Sequence, residues 1–193
     1  MTDRDSVHSI LEKVTRLEID AMQETYRMLD PADFVRAFAI LSKTAHIDFY
    51  AMDNNLDIAN MAASGFIMAN KCSTVHPAMT MQYLQATGAP KDHVGFLISR
   101  TGENRMLIDI ARLLKMRGNP ILLITGKKDS TLGSLADVAF PVASVKTMEA
   151  LGPRVFLMGA KYVMDVLFAV LMTRVDFHNA QEKESWLSQH FHY

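Results

Sequence analysis

One stretch of the chain, from Val94 to Gly118, does most to limit the folds available to it. It begins with a short apolar run at 94–98, as in a strand buried on both faces of a sheet. Small polar residues then interrupt the run at 99–104. Apolar residues afterwards recur every three or four positions up to Gly118, a residue that suits a helix C-terminus. A strand, a tight polar turn and a helix are therefore predicted in succession.

The polar turn of this unit, Ser99-Arg100-Thr101-Gly102-Glu103-Asn104, carries the first indication of function. In such a unit the turn hydroxyls and the first free N–H groups of the helix meet where the helix dipole is positive, which favours a phosphate. Ser99 and Thr101 are equally suited to capping the helix, and Glu103 to interacting with the dipole. Anion binding and simple capping both agree with these residues.

Similar units recur along the chain. Two amphipathic helices come first, and Asp30-Pro31 separates them, because Asp30 can cap the second helix and Pro31 can occupy its first turn. A proline in the fifth predicted strand indicates a sheet edge. Alternating strands and helices predict an α/β fold whose parallel sheet has helices on both faces. The strands are predicted at 47–52, 72–75, 94–98, 121–125 and 138–142, and a long apolar helix at 155–173.

Composition and charge exclude several classes of protein. The 193 residues include 20 basic and 21 acidic ones, a net charge of −1, so no overall basic field is available for non-specific nucleic-acid binding. A single cysteine, Cys72, excludes an internal disulfide, and the first residues lack the features of a signal peptide. No apolar run approaches the ~20 residues of a bilayer span. We therefore expect a cytoplasmic protein with no membrane partner.

The carboxyl ends of parallel strands share one edge of a sheet, and ligands of such folds bind at that edge. Polar turns at 53–55, 99–104 and 125–130 all fall there and can form one pocket. The first of them is Asp53-Asn54-Asn55, residue types that turns favour in any case. No dinucleotide fingerprint, phosphate loop or HExxH motif is present, and the seven histidines are scattered, so we expect neither a cofactor nor a metal.

The turn at 99–104 resembles the S-x-S-G-x-T loop of sugar isomerase (SIS) domains, with the apolar strand before it and the amphipathic helix after it. Within this family the chain is most similar to the effector domain of RpiR-type transcriptional regulators, which sense phosphosugars. The resemblance covers 10–175 and includes, in family order, Leu29-Asp30-Pro31, Ser73, His76, Arg117-Gly118-Asn119-Pro120, the segment 130–137 and Met148-Glu149-Ala150.

The resemblance implies a three-layer αβα sandwich with a five-stranded parallel sheet, assembled as a homodimer or homotetramer. It divides the chain into an N-terminal helical segment packed on the core (1–45), the SIS domain (46–175) and a C-terminal tail (176–193). We expect DNA to be read only through a helix-turn-helix domain that is absent from this chain. Two loops depart from the family pattern: 51–55 reads AMDNN instead of G-x-G-S-S, and the central loop has Thr101 for Ser and Asn104 for Thr.

Three hypotheses of function follow. In the favoured one, a phosphosugar-binding regulatory domain, no residue is catalytic. In the second, an aldose-ketose isomerase, Glu103 or Glu149 moves a proton and His76 assists ring opening. In the third, the chain is a dimerisation scaffold that binds no ligand. For the favoured hypothesis, the phosphate is held by Ser99, Thr101, Gly102, Glu103 and Asn104, and the sugar hydroxyls are oriented by Asn54, Asn55 and Glu149.

Overall fold

The computed structural model describes residues 5–144 and 151–174. Every predicted strand forms, each within one residue of its expected bounds. The elements, in chain order, are α1 (Val7–Met28), α2 (Pro31–Lys43), β1 (His46–Ala51), α3 (Asn55–Met68), β2 (Cys72–Val75), α4 (Met79–Gly88), β3 (His93–Ser99), α5 (Arg105–Arg117), β4 (Ile121–Thr125), α6 (Thr131–Leu135), β5 (Val138–Pro141) and α7 (Gly152–Arg174).

The five strands form one parallel sheet in the order β2-β1-β3-β4-β5. The proline-containing β5 is an edge strand, as the sequence predicts. From β1 the chain moves outward to β2, and then returns past β1 to β3. A reversal of this kind leaves a crevice between the carboxyl ends of the two strands it separates. The turns after β1 and β3 therefore face each other across the crevice.

The core consists of two apolar layers, one on each face of the sheet, because alternate side chains of a strand point to opposite faces. The first layer packs beneath α2, α3 and α7, and the second beneath α4, α5 and α6. The expected three-layer α/β arrangement with N-terminal helices is confirmed. Among the largest buried side chains are Phe49, Phe66, Phe96, Phe140 and Phe156 in the first layer, and Tyr50, Leu97, Leu107 and Ile110 in the second.

Helix α7 is longer than the apolar helix predicted at 155–173, and it corrects the expectation that no apolar run in the sequence approaches the length of a bilayer span. By length and composition alone, its segment Gly152–Thr173, with a mean hydropathy of 1.9, is able to cross a membrane. Phe156, Val163 and Leu167 of this helix are buried in the first apolar layer. Core helices of soluble proteins have the same composition, so the hydropathy of α7 agrees with its place against the sheet.

The N-terminal helices are joined to the sheet by specific contacts. Asp30 accepts a hydrogen bond from Ala32 N (2.9 Å) and caps α2, and Pro31 is its first residue, as predicted. The buried Thr25 of α1 donates to Ala21 O (2.9 Å) and accepts from Ala143 N (3.1 Å), just after β5. α1 is thereby held over the carboxyl edge of β4 and β5.

Candidate functional site

The turn after β3, residues 100–104, lies between the turns after β1 and β4, because β3 pairs with both of those strands. Two hydrogen bonds close it. Gly102 N donates to Ser99 Oγ (3.3 Å), and Glu103 N donates to Thr101 Oγ1 (3.3 Å). Ser99 is buried whereas Thr101 is exposed. The Ser99 hydroxyl therefore shapes the turn from within, while the Thr101 hydroxyl can donate its proton to a bound ligand.

Gly102 joins this turn to the next one along the sheet. Its φ of +68° lies in the left-handed region that glycine favours. Its carbonyl oxygen accepts a hydrogen bond from Leu132 N (3.0 Å) in α6, and Arg100 O accepts one from Gly126 N (3.0 Å) after β4. The turns after β3 and β4 thus form a single unit at the edge of the sheet.

Asn104, predicted to hold a phosphate, caps α5 in the structure. Its Oδ1 accepts hydrogen bonds from Met106 N (3.1 Å) and Leu107 N (3.2 Å), two of the amides that would otherwise lack a partner at the helix start. Neither Ser99 nor Thr101 caps this helix. The cap engages only the side-chain carbonyl oxygen of Asn104, so the side-chain NH₂ group is left to donate to a ligand.

We expect Asn104→Ala to lower the free energy of unfolding by about 1 kcal/mol, because two amide groups at the start of α5 lose their acceptor. In a domain of this size that corresponds to a melting temperature roughly 2–4 °C lower. Asn104→Asp keeps the acceptor and should melt close to the parent chain. Equal melting temperatures for the alanine variant and the parent in thermal unfolding would show that the cap contributes nothing to stability.

Glu103 is directed away from the crevice and towards α6. Its carboxylate accepts hydrogen bonds from Thr131 N (2.9 Å) and Thr131 Oγ1 (2.7 Å). These hydrogen bonds, first from the Thr131 backbone and then from its hydroxyl, lower the pKa of Glu103, and the charge of Lys127 lowers it further. Glu103 is therefore ionised at neutral pH, and Lys127 provides a positive charge near the turn. Sequence reasoning placed the turn 125–130 at this edge but did not single out Lys127 or Thr131.

The turn after β1 is the one that departs from the family pattern. Asp53 is exposed and has φ +52°, a left-handed conformation that aspartate tolerates better than most residues. Asn54 precedes α3 without capping it through its side chain, and Asn55 is the first helical residue. Within the described residues, neither asparagine side chain forms a hydrogen bond. Both amides border the crevice and are free to bind polar groups of a ligand.

A buried glutamine that sequence reasoning missed holds the backbone together at the carboxyl edge of the sheet. Gln82 of α4 donates through Nε2 to Ala51 O (2.9 Å) and His76 O (2.8 Å), and its Oε1 accepts from Ala51 N (3.3 Å). These bonds bring His76 beside the end of β1, one strand away from the turn after β3. The long separation in sequence between Ala51 and Gln82 left no pattern from which this contact could be predicted.

Glu149, predicted to contact the sugar, lies outside the described residues. On the α1 side of the edge, described residues line a cavity of about 610 Å³. Asp20, Glu24 and Arg27 of α1 provide its charged groups, and Gly126 and Ser144 form its floor beyond β4 and β5. The amphipathic pattern of α1 predicted a packing helix, and gave no sign that its polar side would face the candidate site.

The geometry defines a class of protein: an α/β domain with a ligand crevice at the switch point of a parallel sheet, lined by short polar turns and the start of a helix. Residues 40–170 match the family model of the SIS domain, and the chain belongs to this family.

Curated relatives of the chain are HTH-type transcriptional regulators. An uncharacterised regulator of Caldanaerobacter subterraneus, TTE0211, is 24% identical over 171 residues, which are 89% of this chain and 61% of the relative. HexR of Pseudomonas aeruginosa is 24% identical over 189 residues, which are 96% of this chain and 66% of HexR. The chain thus spans about three fifths of the length of these relatives.

Solved structures share the fold. The Vibrio vulnificus NanR protein complexed with ManNAc-6P superposes with a TM-score of 0.84 at 19% identity, over 95% of this chain and 70% of that one. The sugar isomerase domain of an RpiR transcription factor from Sphaerobacter thermophilus gives 0.83 at 16% identity, over 93% and 98%. The C-terminal domain of glucosamine-fructose-6-phosphate aminotransferase from Francisella tularensis gives 0.67 at 18% identity, over 96% and 54%.

Proposed function

We propose that this chain is the phosphosugar-binding effector domain of a carbohydrate-responsive transcriptional regulator of the RpiR type. The observation that carries the proposal is the position of the 99–104 turn, which follows the SIS pattern and lies at the switch point between β1 and β3. The HTH-type regulators among its relatives support the regulatory part, and the sugar phosphates that appear in the descriptions of two structural neighbours support the ligand class.

In this proposal the phosphate lies against the turn after β3. The Thr101 hydroxyl, the amide of Asn104 and the positive end of the α5 dipole favour an anion there, and Lys127 adds a charge. Asn54 and Asn55 bind the sugar hydroxyls from the opposite side of the crevice. Ser99 and Gly102 act through the shape of the turn, Glu103 joins the turn to α6 through Thr131, and Glu149 completes the predicted set of ligand contacts.

The isomerase hypothesis needs a general base, and the described residues favour it less. A carboxylate with a lowered pKa is a weaker base, and both oxygens of Glu103 already accept hydrogen bonds from Thr131. His76, assigned to ring opening, follows the edge strand β2 and not the central turn. Ligand binding in the same crevice does not require either residue to transfer a proton.

The remaining parts of the proposal concern assembly and location. We propose a homodimer or homotetramer in the cytoplasm, with DNA recognised by a separate helix-turn-helix domain of the kind named in the description of the relatives as HTH-type regulators. The near-neutral charge of the chain supports this division, because a chain with 20 basic and 21 acidic residues has little general attraction for DNA phosphates.

A thermal-shift screen tests the proposed ligand class. Hexose, amino-sugar, pentose and N-acetyl sugar phosphates are each added to the chain, with inorganic phosphate and the unphosphorylated sugars as controls. A cognate ligand at about 100 times its dissociation constant stabilises the fold by about 2.7 kcal/mol. For a domain of this size, the expected increase in melting temperature is roughly 5–11 °C.

A shift restricted to one class of sugar phosphate, and absent with the bare sugar, would support a phosphosugar sensor. The same ligand should then be incubated with the chain and examined for conversion between aldose and ketose. If no compound changes the melting temperature at millimolar concentration, the phosphosugar proposal fails and the dimerisation scaffold becomes the leading hypothesis.

A further inference from the structure

A second group of polar side chains lies at the opposite, amino-terminal edge of the sheet. His46 begins β1, His93 begins β3, and the two residues are partners in the register of these neighbouring strands. Their imidazole rings stack with centroids 4.5 Å apart. Asp48 lies two residues further along β1 and so faces the same side of the sheet as His46. Three side chains, two imidazoles and one carboxylate, therefore meet at one point.

Their ligand atoms are already close together. His93 Nδ1 lies 2.8 Å from Asp48 Oδ2, and His46 Nε2 lies 3.6 Å from Asp48 Oδ1. One ligand atom from each residue fits within a span of 4.8 Å. A tetrahedral ion with bonds of about 2.0–2.1 Å places its ligand atoms roughly 3.3 Å apart. The two separations of 2.8 and 3.6 Å lie on either side of that spacing.

Burial and exposure also suit an ion. The Asp48 side chain is 1% exposed, so its charge is removed from water, while the His46 and His93 side chains are 23% and 22% exposed and give access from solvent. A cation among these groups would neutralise the buried carboxylate of Asp48.

One further side chain supports the ligands from outside. Gln85 of α4 donates through Nε2 to Asp48 Oδ1 (2.6 Å), and hydrogen bonds of this kind orient the ligands of metal sites. Thr74 Oγ1 of β2 lies 2.6 Å from His46 Nε2, and an ion bound at that nitrogen would replace this contact. Two imidazole nitrogens and one carboxylate form a mixed set that suits zinc, nickel, copper or iron better than magnesium or calcium.

We propose that His46, Asp48 and His93 form a binding site for a divalent transition metal ion of the zinc type. The site lies at the sheet edge remote from the phosphosugar crevice and does not depend on the proposed function. Three protein ligands leave a fourth position towards solvent, on the side where the imidazoles are exposed. The sequence did not suggest this site because its ligands come from two strands that lie far apart in the chain.

Zinc binding to the full chain, measured by isothermal titration calorimetry, tests the proposal. The parent variant carries Cys72→Ser, His190→Gln and His192→Gln. Cys72 has an exposed thiol and is the register partner of His46, so it could bind zinc by itself. The two histidines form an HxH sequence, which could also bind zinc by itself. One equivalent of Zn²⁺ should bind to this parent, and Mg²⁺ should not. His8→Gln removes an exposed histidine that lies beside Glu12 and should leave the zinc affinity unchanged.

Asp48→Asn and His93→Gln, each made in that parent, should weaken zinc binding by more than about 100-fold, beyond the roughly 10–100-fold that loss of an outer-shell contact costs. Circular dichroism in the presence of a chelator checks that each variant is folded. His46→Gln, at a partly exposed position, gives a third measurement if Asp48→Asn fails to fold. Absence of zinc binding to the parent, or equal affinity in the folded variants, would overturn the proposal.

Discussion

Gly102→Ala is expected to lower the melting temperature of the chain by roughly 6–12 °C, corresponding to about 3 kcal/mol in a domain of this size. Two costs add. The left-handed φ of +68° costs an alanine about 1–2 kcal/mol. A Cβ at this position would also overlap Ser130 Oγ and lie 2.5 Å from Ser130 Cβ, and overpacking of this kind costs about 1–3 kcal/mol. Ser130 cannot turn aside freely, because its hydroxyl accepts a hydrogen bond from Gly133 N.

Gly118→Ala is the matched control for this experiment. Gly118 ends α5 with φ +79°, but among the described residues, its two chain neighbours aside, no atom lies within 4 Å of the position that its Cβ would occupy. Only the backbone strain remains, so the expected loss is about 1–2 kcal/mol. Thermal unfolding of the two variants separates strain from steric overlap. Equal melting temperatures would show that the contact between Gly102 and Ser130 does not determine the shape of the turn.

Thr101→Val is expected to weaken binding of the phosphosugar identified by the thermal-shift screen by about 10- to 150-fold, because a charge-assisted hydrogen bond to phosphate contributes about 1.5–3 kcal/mol. The side chain is exposed, so the variant should keep the fold. The Glu103 N–H loses its acceptor at Thr101 Oγ1, but this amide belongs to an exposed residue and can bind water instead. Calorimetric titration of the ligand into both proteins measures the difference.

Two controls make this result specific to the phosphate. Thr101→Ser keeps the hydroxyl and should bind the ligand nearly as well as the unaltered chain. Thr87→Val removes a hydroxyl at the end of α4, on the opposite edge of the sheet, and should have no effect on affinity. Unchanged affinity in Thr101→Val would remove the turn after β3 from the phosphate site and leave the other turns of the edge to be tested.

The sequence predicted the elements of this protein well because their signals are local. The apolar run at 94–98, the polar turn after it and the helical spacing up to Gly118 each reflect the conformation of a few neighbouring residues. The cap and proline at Asp30-Pro31 act within one helical turn and lie where they were expected. The turns at 53–55, 99–104 and 125–130 could likewise be assigned to one edge, since parallel strands all end on the same side.

The roles of individual side chains at that edge depend on contacts that no local sequence pattern predicts. Asn104, which is predicted to hold a phosphate, also caps α5 through its carbonyl oxygen, although a serine and a threonine nearby were equally suited to the cap. Glu103 pairs with Thr131, 28 residues away in the chain. Which side chain accepts hydrogen bonds from the free N–H groups at a helix start depends on the exact path of the backbone. Several residue types in the turn were able to act as this cap.

Sequence by itself therefore determined the order of the elements, the parallel sheet, the family and the edge where the polar turns lie. Tertiary structure alone decided that Gln82 joins β1 to the end of β2, that α1 borders a cavity beside the site, and that His46, Asp48 and His93 meet at the far edge. The physical reason is the same in each case. Propensity and periodicity depend on neighbours in the chain, whereas these contacts arise only when the strand order brings distant segments side by side.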